Sequence, residues 1–341
     1  MKLRHLAAVV TAATLLVPAT ASATTPAQRS ADVAAGWLAR QLAGGDHLET
    51  VFGGVSYPDT GLTIDGIFAF ASAGVANTAA GRATTYVATN LAGYVGDGVT
   101  ESYAGATAKA TLAAEVRGQD PATFGGADLP TRLRALLAPS GRFSDRSQYG
   151  DYSNAFSQSL ALIALDRTPG GAPASAVTFL AGTQCADGGF PLDFGVTPCV
   201  GDTDSTAMAA QALQATGRPG QAQQGLTWLA GKQQANGGIS VGTGDPAVAP
   251  NANTTGLAGQ AFRAGLRLAA AQKAKTFLTG LQVGCAGVAA NRGAIAYDAT
   301  GYHAGTVVRA TTQAVLGLGG RGLAQLTSAG SSAAEPAPAC P

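Results

Sequence analysis

An internal repeat restricts this chain more than any other feature. Asp202-Thr-Asp-Ser-Thr-Ala-Met-Ala-Ala-Gln-Ala-Leu213 aligns with Asn251-Ala-Asn-Thr-Thr-Gly-Leu-Ala-Gly-Gln-Ala-Phe262, and both reach Gln-Ala-apolar nine positions after a polar opening residue. The same phase recurs at Asp59, Glu101, Asp151 and Ala304. Six units of roughly fifty residues fill the chain, a period that marks stacked or closed arrays of one supersecondary unit.

Each unit carries a second apolar-periodic stretch ahead of that line. Ala34-Gly-Trp37-Leu38, Ala83…Tyr86-Val87, Leu133…Leu136-Leu137, Val177…Leu180, Leu226…Trp228-Leu229 and Ala274…Phe277-Leu278 have helical spacing. Several end in Gln before a Gly-rich turn, as in Gln184-Cys-Ala-Asp-Gly-Gly-Phe190 and Gln233-Gln-Ala-Asn-Gly-Gly-Ile239. Glycine there supplies the positive φ of a tight reversal. The second helix of each unit opens on Asp, Glu or Asn, residues that cap free N–H groups and suit the positive dipole end. These second helices are apolar nearly all round, the pattern of a buried helix. They are therefore expected to form an inner layer under an outer layer of first helices, and closure would leave no exposed end to cap.

The Gln184…Gly188-Gly189-Phe190 and Gln233…Gly237-Gly238-Ile239 segments resemble the QW-type repeat of the prenyltransferase and squalene-cyclase superfamily. That resemblance implies an all-α fold, an (α/α)6 toroid of six inner and six outer helices over residues 24–327. The repeat aromatic is kept as Phe190 and replaced by Ile239. The thioester Gly-Cys-Gly-Glu-Gln of complement-like relatives is absent.

The ends and the cysteines bear on where the protein works. Lys2, Arg4 and His5 precede an apolar run from Leu6 to Val17 and an Ala21-Ser22-Ala23 cleavage site, the layout of a signal peptide over residues 1–23. Cleavage after Ala23 and release as a secreted, extracellular monomer are expected. Cys185, Cys199, Cys285 and Cys340 are even in number, which in an exported chain favours disulfides; three pairings exist. The expected pairs are Cys185–Cys199, closing a Gly/Pro-containing loop, and Cys285–Cys340, tying down a Ser/Ala/Pro-rich tail at 328–341 that is otherwise expected to be loosely held. With 21 basic and 20 acidic side chains and no basic cluster, nucleic acid is excluded as a partner. No later segment reaches the length and apolarity of a membrane span.

Candidate chemistry gathers where the inner helices begin, because parallel helices bring their N-termini to one mouth. Asp59, Glu101, Asp151, Asp202 and Asp204 fall there, with Tyr57, Tyr103, Tyr149, Tyr152, Tyr297, Tyr302 and His303. The rim Tyr57, Asp59, Glu101, Tyr103, Asp151, Tyr152, Tyr302 and His303 is read as a ligand-binding mouth, tyrosine offering area and one hydroxyl at low entropic cost. The bland alternative is that the acids are helix caps. Asp202-Thr-Asp204-Ser205 resembles the Asp-x-Asp-Asp of class II terpene cyclases; the resemblance implies that Asp204 is the general acid, supported by Asp202, with Ser205 replacing the last Asp. Carbocation chemistry uses many aromatic faces, and only 6% of residues are aromatic. Asp202-x-Asp204 with Tyr302-His303 echoes a prenyltransferase zinc set but lacks its cysteine, so no metal and no cofactor are expected. The leading expectation is a non-catalytic module for an apolar or amphiphilic ligand or an extracellular protein. A cyclase- or prenyltransferase-like enzyme using Asp204, and a scaffold presenting loops, are the alternatives.

Overall fold

The computed structural model describes residues 26–340; the expected signal peptide and cleavage after Ala23 lie outside them. Thirteen α-helices dominate the described residues. The outer helices are α1 (Pro26–Ala39), α3 (Asn77–Thr89), α6 (Leu129–Arg134), α8 (Ala174–Gly182), α10 (Pro219–Gly231) and α12 (Leu268–Gly280). The inner ones are α2 (Thr60–Ala73), α5 (Ala104–Val116), α7 (Ala155–Asp166), α9 (Thr203–Ala215), α11 (Ala252–Ala264) and α13 (Ala304–Leu318). A short helix α4 (Leu91–Val95) and an antiparallel hairpin, β1 (Glu49–Phe52) and β2 (Val55–Pro58), decorate two connections.

Each inner helix packs on the next in chain order, and α13 packs on α2, so the ring is closed. Glycine permits the closest approach. A Cβ on Gly256 of α11 would strike the Gln313 carbonyl of α13, and one on Gly317 would strike Gly256. Around the ring lie buried Trp37, Phe70, Phe143, Phe190 and Phe262.

Two recurrent polar clamps set the repeat. First, a Thr or Gln side chain in the N-terminal half of an inner helix accepts the N–H of a buried residue in the connection before it. The pairs are Thr63 with Leu48 (3.0 Å), Gln158 with Phe143 (2.8 Å), Thr206 with Phe190 (2.8 Å), Thr255 with Ile239 (2.9 Å) and Thr311 with Ile295 (2.9 Å). These contacts turn that helix face outward, so the opposite face lines the ring centre. Second, the glutamine that ends an outer helix donates to a turn carbonyl and to the next outer helix. Gln184 reaches Gly188 and Gln221, Gln233 reaches Gly237 and Ala270, and Gln282 reaches Gly293 and Ser30.

The disulfides are Cys185–Cys199 and Cys285–Cys340, the expected pairs. The tail is held more widely than by its cysteine alone. Ala334 and Ser332 carbonyls accept from Ala76 and Asn77, and a Cβ on Gly36 of α1 would strike Pro336. Before the tail, residues 319–328 cross the C-terminal end of the ring. Gln211 accepts from Leu323 N (3.0 Å), Gln260 donates to Arg321 O (3.1 Å) and Arg167 donates to the Leu323 and Leu326 carbonyls. The repeated Gln-Ala-apolar glutamines thus anchor this crossing segment. Among the described residues no helix is long and apolar enough to cross a membrane.

Gln282→Met removes the amide that donates both to the Gly293 carbonyl of the last unit's own turn and to the Ser30 carbonyl of the first helix. It is expected to lower the unfolding free energy by about 1–3 kcal/mol. Gln41→Met, which loses one local bond to Trp37 O, should cost less. Urea denaturation of the two variants checks the order.

Candidate functional site

The inner helices begin directly after Asp59, Tyr103, Asn154, Asp202, Asn251 and His303, so these residues share one mouth of the ring. Bonds between successive connections stitch that mouth. Arg309 of α13 meets Asp59 of the first inner helix at 3.1 Å, and Asp59 also accepts from Thr50 (2.9 Å). Glu101 accepts from Tyr103 OH (3.0 Å) and Gln148 N (3.3 Å). Thr203 donates to Ser240 O (2.9 Å), and Ala252 N to Tyr297 O (2.7 Å).

The candidate residues divide by role. Asp59 and Asp202 are N-caps, accepting from Leu62 N and Ser205 N. Glu101 and Asp151 are not. The N–H of Ala104 that opens α5 is taken by Asp145, from the following connection (2.7 Å), and α7 is capped by Asn154. Asp151 instead pairs with Arg142 (3.1 Å) and accepts from Asp145 N and Ser153 N. A hydrogen bond from Ser147, then those from Gln148 and Tyr103, hold the Glu101 carboxyl below its ordinary range. Tyr57 and Tyr152 are exposed, Tyr302 is half-buried against the core, and His303 is exposed with Nε2 3.0 Å from Thr300 Oγ1.

Asp204 stands apart. It lies two residues past the cap of α9, on the face turned toward the ring centre, and its Oδ1 is buried without a partner. Burial, then the neighbouring Asp202 charge, raise its pKa to about 6 against the pull of the Thr254 hydroxyl. Asn253 holds the matching position on α11, and its Oδ1 is likewise buried and partnerless. The Ser205 hydroxyl beside them is also without a partner.

A charged arc escaped the sequence reading. Lys109 of α5 and Asp65 of α2 form a 2.7 Å ion pair one to two turns inside the mouth. Burial works against the Lys109 charge, but Asp65 and Tyr94 outweigh it and hold its pKa above the ordinary lysine value. Burial in turn pushes the Tyr94 hydroxyl up. At the same register α7, α9 and α11 present Leu160, Met208 and Leu257, all buried. The signal in sequence was one acid and two bases, Asp65, Lys109 and Arg309, inside otherwise apolar helices. Among the described residues no group of three or more His, Cys, Asp or Glu is placed to hold a metal ion.

No protein-family model matches the chain, and no curated protein matches it in sequence. Solved structures do match it. One is a variant of the type II terpene cyclase MstE from Scytonema, in complex with its substrate geranylgeranyl dihydroxybenzoate; identity is 14%, the match covers 86% of this chain and 96% of that one, and the TM-score is 0.62. Another is the unsaturated glucuronyl hydrolase from Bacillus sp. GL1 (14%, 86% and 96%, TM-score 0.59). A protein from Actinoplanes is similar at 16% identity over 85% of this chain and 98% of that one (TM-score 0.55). The chain is an α/α toroid. The QW-type resemblance therefore led to the right architecture, and likeness at these identities is likeness of fold.

The Asp204 carboxyl makes a pH prediction. Its folded pKa of about 6 lies above the value of 3.8 it starts from, so the folded state binds the proton more tightly. That contribution is fully present below about pH 4 and is lost as pH rises through about 6, a change of about 3 kcal/mol. Asp204→Asn, the residue already tolerated at Asn253, should match the parent near pH 4 and exceed its stability at pH 8. Urea denaturation of both proteins across that range measures it.

Proposed function

We propose that this chain is an exported binding module whose mouth takes up an amphiphilic ligand or an apolar segment of an extracellular partner. One observation carries the reading. Of fifteen large hydrophobic side chains exposed among the described residues, all but Leu266 and Leu268 sit in the connections that lead into the inner helices. They include Val51, Phe52, Val55 and Tyr57 on the hairpin and Tyr149 and Tyr152 before α7. Exposed apolar area concentrated on one face is the mark of an interaction surface. Beneath it the orphan oxygens of Asp204 and Asn253 supply acceptors for a ligand hydroxyl or amide. An apolar rim over a few unpartnered polar groups is the usual composition of a ligand site. The two disulfides and the amino-terminal signal sequence support export.

A second reading has its own support. MstE is a type II terpene cyclase of the same fold, and Asp204 is a buried carboxyl raised toward neutrality. In that role its proton would pass to an alkene carbon, leaving carboxylate on the protein and a cation on the substrate. Ser205, in place of the family's last Asp, and the apolar arc of Leu160, Met208 and Leu257 would form the surroundings. Few aromatic rings are available to such a cation, which favours binding over catalysis.

Thermal melting against a panel of long-chain fatty acids, polyprenyl alcohols and corrinoids separates the readings. A module gains stability by mass action with its ligand. Phe52→Ser/Tyr149→Ser/Tyr152→Ser should weaken that response at least tenfold, about 1.4 kcal/mol, while Leu266→Ser/Leu268→Ser leaves it unchanged. A panel without any shift, or shifts equal in both variants, would overturn the binding reading. Cyclised product that disappears in Asp204→Asn would establish the enzyme instead.

A further inference from the structure

At the end of the ring opposite the mouth, a cavity of about 430 Å³ opens between the last turns of α2 and α13, the flanks of α1 and α12, and the crossing segment. That size suits a small molecule. Its charged lining is Arg263, Lys275, Arg321 and Asp32. Among the described residues none of the three cations has a carboxylate within ion-pair distance. Arg263 is the clearest orphan. Its Nε is buried without a partner, and its Nη2 reaches the Gly317 carbonyl only at 3.5 Å.

Lys275 adds to the imbalance. Burial, then the Arg263 charge, depress its pKa, so the two cations sit close enough to repel. Carbonyls at the end of α13 attract positive charge, which accounts for one cation, Arg263, near Gly317 O. It does not account for two held together with a guanidinium N–H unused. On the other wall the Asp32 Oδ1 is also buried and partnerless, so the cavity holds an unused donor and an unused acceptor at once. Oxyanions are the ligands that engage clustered guanidinium and ammonium groups with charge-assisted bonds.

The geometry points to a binding site for a phosphate or sulfate group, with Arg263, Lys275 and Arg321 donating to its oxygens and Asp32 accepting a hydroxyl from the rest of the ligand. The site is independent of the mouth, because it lies at the far end of the inner helices and shares no residue with it.

Calorimetric titration and thermal melting at constant ionic strength test it, with inorganic phosphate, sulfate and glycerol 1-phosphate as probes and chloride as the reference. Saturable heat and a rising Tm are expected for at least one oxyanion. Arg263→Gln and Lys275→Gln should each weaken the apparent affinity tenfold or more, and Arg40→Gln, on an exposed residue outside the cavity, should leave it unchanged. Lys275 makes no hydrogen bond among the described residues, so its variant is expected to melt in chloride at or above the parent; should Arg263→Gln fail to fold, Lys275→Gln alone decides. Tighter binding of glycerol 1-phosphate than of phosphate assigns the site to an organic monoester, and equal binding assigns it to the free ion; either supports the proposal. A response no larger than that of chloride, or one retained in both cavity variants, overturns it.

Discussion

A ring made from one chain depends on its last unit finding its first. Here that junction is made by the same hydrogen bonds that join neighbours. Gln184 and Gln233 each donate to a carbonyl on the outer helix that follows; Gln282 donates to Ser30 O, on the first helix of the chain. The indole contact repeats too. Trp228 Nε1 donates to Asp187 in the preceding turn, and Trp37 Nε1 to Ala290 O in the turn of the last unit. Closure therefore reuses an existing interface, to which the disulfide-tied tail and the Arg309–Asp59 pair add contacts of their own. The shared mouth and base follow from it, because ring closure gathers the starts of six parallel inner helices at one end and their ends at the other.

The repeat was legible where the local chemistry was regular. Asp202 and Asn251 cap their helices as their alignment indicates, and the glutamine before the glycine turn has the same two partners wherever the motif is intact. Legibility failed where a partner came from elsewhere in the chain. Ala104 N is satisfied by Asp145, forty-one residues on, so α5 carries no acid of its own at the cap, and Glu101 was free to bind Tyr103 and Gln148. The last unit shows a phase error. Thr311 takes the place of Thr206 and Thr255 in the helix-to-connection clamp, which makes Leu316, not Gln313, the counterpart of Gln211 and Gln260. The helix α13 begins one turn early, and the Gln-Ala-apolar match that aligned it was accidental.

The ring interior explains why composition alone described it only halfway. An apolar inner layer was expected, and α7, α9 and α11 supply an apolar arc. The other arc holds Asp65, Lys109, Arg309 and Asp59, with Tyr94 laid against them. Single charges in three separate helices form no motif. They become a network only when parallel packing sets the opening turns of α13, α2 and α5 side by side, and a buried pair such as Asp65–Lys109 costs desolvation that its mutual attraction must offset. Just inside the mouth the lining is thus polarised, charged on α2 and α5 and apolar on α7, α9 and α11.

Asp204 and Asn253 bear most directly on whether that mouth is a site. Capping accounts for Asp202 and Asn251, which spend their side chains on Ser205 N and Thr254 N. It does not account for the residues two positions later. Successive helices each place a planar acceptor there, one ionisable and one not, and each leaves an oxygen buried without a partner. An unmet buried acceptor is destabilising, and a hydrophobic side chain would pack the position at no such cost. A scaffold that only presents loops gives no reason to keep two of them side by side. The proposed binding mouth would give one, since both side chains can accept a hydrogen bond from a ligand and only the carboxyl can also transfer a proton.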